Sequence, residues 1–265
     1  MDNRAIGVFD SGLGGLTAVR RLHEIMPQES IIYFGDTGRV PYGTRSPETI
    51  LKYARQDVTF LRSFDLKAIV VACNTVSAVA LETVARENNV PMIGVVEPAC
   101  RKALAVTKNG RVGVIGTAAT VRSGAYERML HAARPDLRLF TQACPLFVPL
   151  VENGRVRRGD PVAETVVAEY LDGLRRDGID TLILGCTHYP LLGSLIADFM
   201  GEAVTLIDSG AAAAEQARQM LAPAEGPGET RYFVSDDPAS FDALASLFLS
   251  HEPKGPAELI EIAGY

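Results

Sequence analysis

The chain has 265 residues, of which 47% are hydrophobic, and it carries 26 basic and 32 acidic side chains. This length and apolar content predict a compact globular protein with one large core or two ordinary ones, and they exclude a disordered chain. No apolar run reaches the roughly 18 residues needed to cross a bilayer. A net charge of −6 without a concentrated basic stripe disfavours a nucleic-acid partner bound through its phosphates. No secretory signal precedes the first strand, so we expect a cytoplasmic protein.

Short β-branched apolar runs alternate with helical segments along most of the chain, which predicts an α/β fold with a largely parallel sheet. Helices are predicted to begin at Ser46-Pro47, Asp160-Pro161 and Asp237-Pro238, where a capping side chain precedes a proline. The stretch 222–229 is predicted to be a surface turn. The predicted strands are Ala5–Phe9, Ile31–Phe34, Ala68–Ala72, Met92–Val96, Val112–Ile115, Leu137–Thr141, Thr181–Leu184, Val204–Ile207 and Arg231–Val234.

An internal repeat divides the chain into two halves. The segment Ile6–Gly12 is echoed by Val112–Ala118, and Val70–Thr75 is echoed by Ile183–His188, in the same order. Two similar α/β halves are therefore predicted, each with one cysteine at the carboxyl end of a strand. Because ligands of open α/β sheets bind beyond the carboxyl ends of the strands, we expect the two thiols to share one crevice.

The four cysteines are Cys73, Cys100, Cys144 and Cys186, and none belongs to a C-x-x-C pair. Structural zinc is therefore disfavoured, and so are disulfides in a reducing compartment. Cys73 and Cys186 each follow an apolar strand and precede polar residues and a helical segment. Because a helix N-terminus stabilises a thiolate, we predict that these two are reactive rather than ordinary buried cysteines. Cys100 and Cys144 lack this setting and are predicted to be structural.

A glycine-rich turn follows the first strand at residues 10–15. Such a turn lets backbone N–H groups approach an anion, although a tight turn with a helix-capping Asp10 or Ser11 explains it too. A dinucleotide fingerprint beginning at Gly12 is incomplete, because it requires glycine or alanine where the chain has Thr17.

Three further features are candidates for function. The loop 35–43 is longer and more polar than a connector needs to be, which is typical of functional loops. His188 lies two residues after Cys186 and is a candidate for proton transfer. Glu152 follows an apolar run and is a candidate acid, although a role without function in the site is equally compatible with its position.

Four motifs occur in order: DSGLGG at 10–15, PYG at 41–43, ACNT at 72–75 and GCTHYP at 185–190. Together they resemble the glutamate racemases of the cofactor-independent aspartate/glutamate racemase superfamily, over nearly the whole chain. The resemblance implies two α/β domains related by pseudo-twofold symmetry, with the substrate in the crevice between them. We accordingly expect a first domain of residues 1–96 and 209–265 and a second of residues 97–208.

The resemblance also implies roles for individual residues. Cys73 and Cys186 are the implied catalytic bases of a cofactor-independent interconversion of L- and D-glutamate, with Asp10, His188 and Glu152 as further catalytic groups. The implied substrate-binding residues are Asp10, Ser11, Pro41, Tyr42, Gly43, Asn74, Thr75, Thr187 and His188. The resemblance implies no cofactor, metal, nucleic acid or membrane partner. It implies that the product, D-glutamate, is supplied to peptidoglycan synthesis. A homodimer is left open.

Three alternatives are retained at this stage. An aspartate racemase uses similar chemistry, although the PYG and GCTHYP motifs favour glutamate. A dinucleotide-dependent oxidoreductase would bind a nicotinamide cofactor. A ligand sensor on the same scaffold would bind glutamate without exchanging its α-proton with solvent.

Overall fold

The computed structural model describes residues 1–265 and contains ten strands and twelve α-helices. The strands are β1 Ala5–Asp10, β2 Ile31–Gly35, β3 Leu66–Val71, β4 Met92–Gly94, β5 Arg111–Gly116, β6 Arg138–Ala143, β7 Thr181–Gly185, β8 Thr205–Asp208, β9 Thr230–Val234 and β10 Ala257–Leu259. The helices are α1 Leu16–Ile25, α2 Pro47–Leu61, α3 Asn74–Val79, α4 Leu81–Arg86, α5 Val96–Val106, α6 Ala118–Arg122, α7 Ala125–Ala133, α8 Phe147–Glu152, α9 Pro161–Arg176, α10 Gly193–Met200, α11 Ser209–Met220 and α12 Pro238–Leu249. Short 3₁₀ helices lie at 37–39, 42–44, 189–192 and 262–264.

The strands form two parallel sheets with the same internal order. Sheet A runs β10-β9-β2-β1-β3-β4, and sheet B runs β6-β5-β7-β8. Sheet B therefore repeats the β2-β1-β3-β4 portion of sheet A. In both halves the first strand in sequence lies between the second and the third. The two halves also share a register, because Gly7 pairs with Ile69 four residues before Cys73, and Gly113 pairs with Leu182 four residues before Cys186. The predicted α/β class and the two similar halves are confirmed.

All nine predicted strands are present within a few residues of their expected bounds. The predicted helix starts are also correct, and the side chains of Ser46, Asp160 and Asp237 each accept a hydrogen bond from a backbone N–H in the first turn. The sequence did not predict β10, which has only three residues and pairs with β9 at the edge of sheet A. Strand β4 ends at Gly94, earlier than predicted, because α5 begins at Val96.

The central strands are apolar on both faces because each sheet is covered on both sides by helices. In β3, Val70 belongs to a core that also contains Ile115 of sheet B, whereas Ile69 and Val71 pack on the opposite face beneath α2. The core on the inner side is thus continuous between the halves. None of the helices combines the length and the hydropathy that crossing a bilayer requires.

Candidate active site

The two cysteines singled out by the repeat occupy equivalent places in the two sheets. Cys73 follows β3 and directly precedes α3, and Cys186 follows β7 directly. Both are buried, and both line one cavity of about 290 Å³. The structure therefore brings together two thiols that are separated by more than a hundred residues in sequence, because each lies at the carboxyl end of a strand of its own parallel sheet and both strand ends border the same cavity.

The cavity lies between the two halves and receives residues from both. Every sequence-predicted site residue except Asp10 lines it. Those residues are Ser11, Pro41, Tyr42, Gly43, Cys73, Asn74, Thr75, Glu152, Cys186, Thr187 and His188. Asp10 is the last residue of β1 and is fully enclosed behind this wall.

Asp10 connects the turn after β1 to the turn after β7. Its carboxylate accepts hydrogen bonds from the backbone N–H of Gly12 at 3.1 Å and from the Thr187 hydroxyl at 3.5 Å. Burial raises the pKa of Asp10, while a positive charge on His188 and nearby backbone N–H groups oppose that rise. Negative charge on Asp10 raises the pKa of both Cys73 and Cys186, so Asp10 is placed to influence both thiols.

His188 is held from both sides. Its Nδ1 lies 3.4 Å from the Thr187 hydroxyl, and its Nε2 lies 3.1 Å from Glu152 Oε1, at the C-terminal end of α8. The His188 side chain is buried, whereas that of Glu152 is 40% exposed. A histidine paired with a partly solvated carboxylate has the composition of a proton-relay pair, and it opens to the cavity beside Cys186.

Hydrogen bonds to Ser209 at the start of α11, and to Tyr126 and Thr117 of the second half, restrain the residues after Cys73. Asn74 donates its amide to Ser209 at 3.1 Å and accepts from the Tyr126 hydroxyl at 2.7 Å. The Thr75 hydroxyl lies 2.9 Å from that of Thr117. Because these bonds occupy the Asn74 amide oxygen and one of its amide protons, the backbone N–H groups of this turn are the donors best placed to meet an anion.

Burial is the largest influence on the pKa of both thiols. It raises the pKa of Cys73 to about 12 and also raises that of Cys186, and negative charge on Asp10 acts in the same direction. The backbone N–H groups of Val76 and His188 act in the opposite direction, each on its own thiol. Burial outweighs the backbone N–H groups, so the strand-end setting alone does not lower the pKa of either thiol. In addition, Cys186 precedes a 3₁₀ helix at 189–192 rather than an α-helix.

Thr117 and Cys144 are among the cavity-lining residues that sequence reasoning did not assign to the site. Thr117 caps α6 and occupies the position in the second half that corresponds to Ser11, so the repeat itself contained the signal. Cys144 was predicted to be purely structural, but it lies on the cavity wall directly after β6. This position in the second half corresponds to that of the polar loop after β2 in the first half. Cys100 is buried inside α5, in the structural role predicted for it.

The glycine-rich turn packs directly against the turn that carries Cys186. The Thr17 hydroxyl lies 2.9 Å from Gly14 O and 3.0 Å from Thr187 O, so its one proton bonds to either carbonyl or is shared between them. A Cβ at Gly14 would lie 2.1 Å from Thr187 Oγ1 and 2.5 Å from His188 Nδ1. Side chains of the second half thus fill the space beside Gly14.

We expect Gly14→Ala to lower the free energy of unfolding by about 1–3 kcal/mol, the usual cost of forcing a methyl group into a packed site. Gly173→Ala is the matched control, because nothing lies within 4 Å of a Cβ there and Gly173 is exposed within α9. That variant should be neutral or slightly stabilising, since alanine is the better helix former. Urea denaturation of both variants measures the difference, and equal midpoints would contradict the close packing described above.

Comparison with known proteins identifies the family. The model of the Asp/Glu/hydantoin racemases matches residues 13–217. The chain belongs to this family. It is 49% identical to the glutamate racemase of Geobacter metallireducens over 255 residues, covering 93% of each chain.

Solved structures give the same result. A glutamate racemase isoform from Bacillus anthracis superposes with a TM-score of 0.91 at 38% identity, covering 98% of each chain. The glutamate racemase of Francisella tularensis, solved in complex with D-glutamate, superposes with a TM-score of 0.90 at 39% identity over the whole of both chains. The resemblance drawn from the four motifs is confirmed, and with it the prediction of an isomerase of the amino-acid racemase type.

Proposed function

We propose that this protein is a cofactor-independent glutamate racemase in which Cys73 and Cys186 act as the two bases. The observation that carries the proposal is the placement of the two thiols at equivalent strand ends around one cavity. The bound D-glutamate of the Francisella relative supports glutamate as the substrate. Racemisation removes the α-proton from one face and returns a proton to the other, so groups on opposite sides of the α-carbon are required.

The proposed reaction needs one thiolate and one thiol at a time. The thiolate takes the α-proton and becomes a thiol, and the opposite thiol gives its proton to the other face of the carbanion and becomes a thiolate. Proton exchange with solvent then restores the starting state. Because burial raises both thiol pKa values, we propose that the substrate's own ammonium group supplies the positive charge that favours the thiolate.

The carbanion is the costly species, and the cavity must stabilise it through its α-carboxylate. Backbone N–H groups near Ser11, Asn74 and Thr187 are the proposed donors, because they lie at strand ends that face the cavity. Asp10 is proposed to act on Cys73, and His188 with Glu152 on Cys186, by setting the protonation of the thiols. Pro41, Tyr42, Gly43 and Thr75 complete the proposed substrate contacts.

The biological setting follows from the product. We propose that D-glutamate made here supplies peptidoglycan synthesis in the cytoplasm. The division into a domain of residues 1–96 and 209–265 and a domain of residues 97–208 is also proposed, since α5 begins at Val96 and α11 at Ser209, where the chain passes between the sheets.

The test is a polarimetric assay of the purified protein with L-glutamate and no added cofactor, run in D₂O. We expect optical rotation to decay to zero and deuterium to enter D-glutamate before it enters the remaining L-glutamate. The order arises because the thiol that donates to the product face carries a solvent-derived deuteron. Equal early labelling of both enantiomers would indicate a single base, and binding without any exchange would indicate a sensor. L-Aspartate serves as the substrate control.

A further inference from the structure

A buried polar cluster lies beneath the loop that carries the PYG motif. It consists of Asp36, Arg39, Tyr42 and Asp57, and both carboxyl side chains are fully enclosed. Arg39 donates to Asp36 Oδ2 at 2.6 Å through Nε and to Asp57 Oδ1 at 2.8 Å through Nη2. The cluster thus joins the end of β2 and helix α2 to the candidate site.

The Tyr42 hydroxyl contacts both carboxyl groups. It hydrogen-bonds to Asp36 Oδ2 and lies 3.1 Å from Asp57 Oδ2. A phenol has only one proton to donate, so one of these two contacts needs a proton from a carboxyl group. The bond partners identify which one it is.

Asp36 has donors on both oxygens. Its Oδ1 accepts from the Ser235 hydroxyl at 2.7 Å, and its Oδ2 accepts from Arg39. Asp57 Oδ2, by contrast, faces only the Tyr42 hydroxyl. An ionised Asp36 balances the single Arg39 cation, whereas a second ionised carboxylate in this enclosed space would be uncompensated.

We propose that Asp57 is a neutral, proton-bearing positioning residue whose O–H donates to Tyr42 and so holds the 40–44 loop in the candidate site. The ionisable groups around it are Asp36, Arg39 and Tyr42, with Asp10 further away. Burial and the charge of Asp36 raise the pKa of Asp57 well above its ordinary value, against the opposing effects of Arg39 and Tyr42.

The position of the loop matters because it contacts the opposite half of the molecule. The Tyr42 ring is buried, and a Cβ at the next residue, Gly43, would lie 2.6 Å from Thr117 Cβ. Tyr42 is thus held from below by Asp57 while Gly43 abuts the far wall of the cavity. A loop released from Asp57 loses this placement at the mouth of the site.

The kinetic test compares two substitutions at one position, and it rests on the proposed function. Asp57→Asn keeps a donor for Tyr42 and an acceptor for Arg39, so we expect KM and kcat for L-glutamate within about twofold of the parent protein. Asp57→Leu removes both bonds and should raise KM about tenfold while kcat changes less than about threefold, the scale of one buried hydrogen bond. Equal KM values for the two variants, whether both raised or both unchanged, would overturn the proposal.

If the leucine variant does not fold, Tyr42→Phe takes its place. It leaves the Asp57 proton without its acceptor, and we expect a KM increase of similar size. An unchanged KM in a folded Tyr42→Phe protein would rule out positioning through this bond.

A spectroscopic experiment tests the protonation of Asp57 without substrate, so its result does not depend on the proposed function. The infrared difference between the parent protein and Asp57→Asn at neutral pH should show loss of a protonated carboxyl C=O stretch. Loss of a carboxylate stretch instead would overturn the proposal. Asp198→Asn is the control, because the bond from Arg158 lowers the pKa of Asp198, and that variant should lose only a carboxylate band.

Discussion

Replacing Cys73 or Cys186 by alanine should lower kcat/KM for glutamate racemisation by at least about 10²–10⁴-fold, the usual contribution of a positioned acid or base. Each thiol serves one face of the α-carbon in the proposed reaction, so the other thiol cannot take over its role. The loss should appear in both directions equally, because the enantiomers have equal free energy. Polarimetry starting from each enantiomer measures it.

The matched control is Cys100→Ala. Cys100 is also a buried cysteine whose pKa is raised to about 12, but it lies inside α5 and does not line the cavity. We expect that variant to retain the activity of the parent protein. Cys144→Ala is the more demanding comparison, because Cys144 lines the same cavity directly after β6 but lies outside the sequence repeat that pairs Cys73 with Cys186, and we expect this variant also to remain active. Full activity after loss of either Cys73 or Cys186 would contradict the two-thiol mechanism.

The largest effect on stability is expected at a buried ion pair far from the site. Lys67, on β3, is paired with Glu29, and both side chains are almost completely enclosed. The Lys67 ammonium also donates to Asp2 O at 2.8 Å and Ala222 O at 3.0 Å, and Glu29 accepts from the backbone N–H of Ala224 at 2.9 Å. The pair thus anchors the N-terminal segment and the 222–229 turn to sheet A.

Lys67→Met should therefore lower the free energy of unfolding by about 3–5 kcal/mol, since it leaves the Glu29 carboxylate buried without its counter-charge. Urea denaturation measures the change. Glu87→Gln is the control, because the Arg55–Glu87 pair is exposed and such pairs contribute little. A midpoint shift for Lys67→Met no larger than that of the control would show that the buried pair contributes no more to stability than an exposed one. The double variant Lys67→Met/Glu29→Leu should recover part of the loss, because no unpaired charge remains.

The sequence alone was sufficient to predict the fold class and the placement of Cys73 and Cys186 at one cavity. Both depend on local signals, because an apolar strand followed by a cysteine and polar residues is visible in about six consecutive positions. The repeat then placed Cys73 and Cys186 at equivalent strand ends. The same repeat pointed to Thr117 as the partner of Ser11, but the signal is weak there because Gly116 stands where the first half has Asp10.

Only the tertiary structure determined how burial shifts the thiol pKa values and which contacts support the site. The pKa of a thiol depends on the burial contributed by distant segments, so the sequence pattern at Cys73 suggested a stabilised thiolate, whereas burial in the fold raises the pKa of this thiol to about 12. The joining of Asp57 in α2 to Asp36 after β2, and of Lys67 to Glu29, likewise depends on packing between segments that no local pattern connects. Periodicity encodes which residues turn inward, whereas desolvation and charge pairing depend on which inward residues meet.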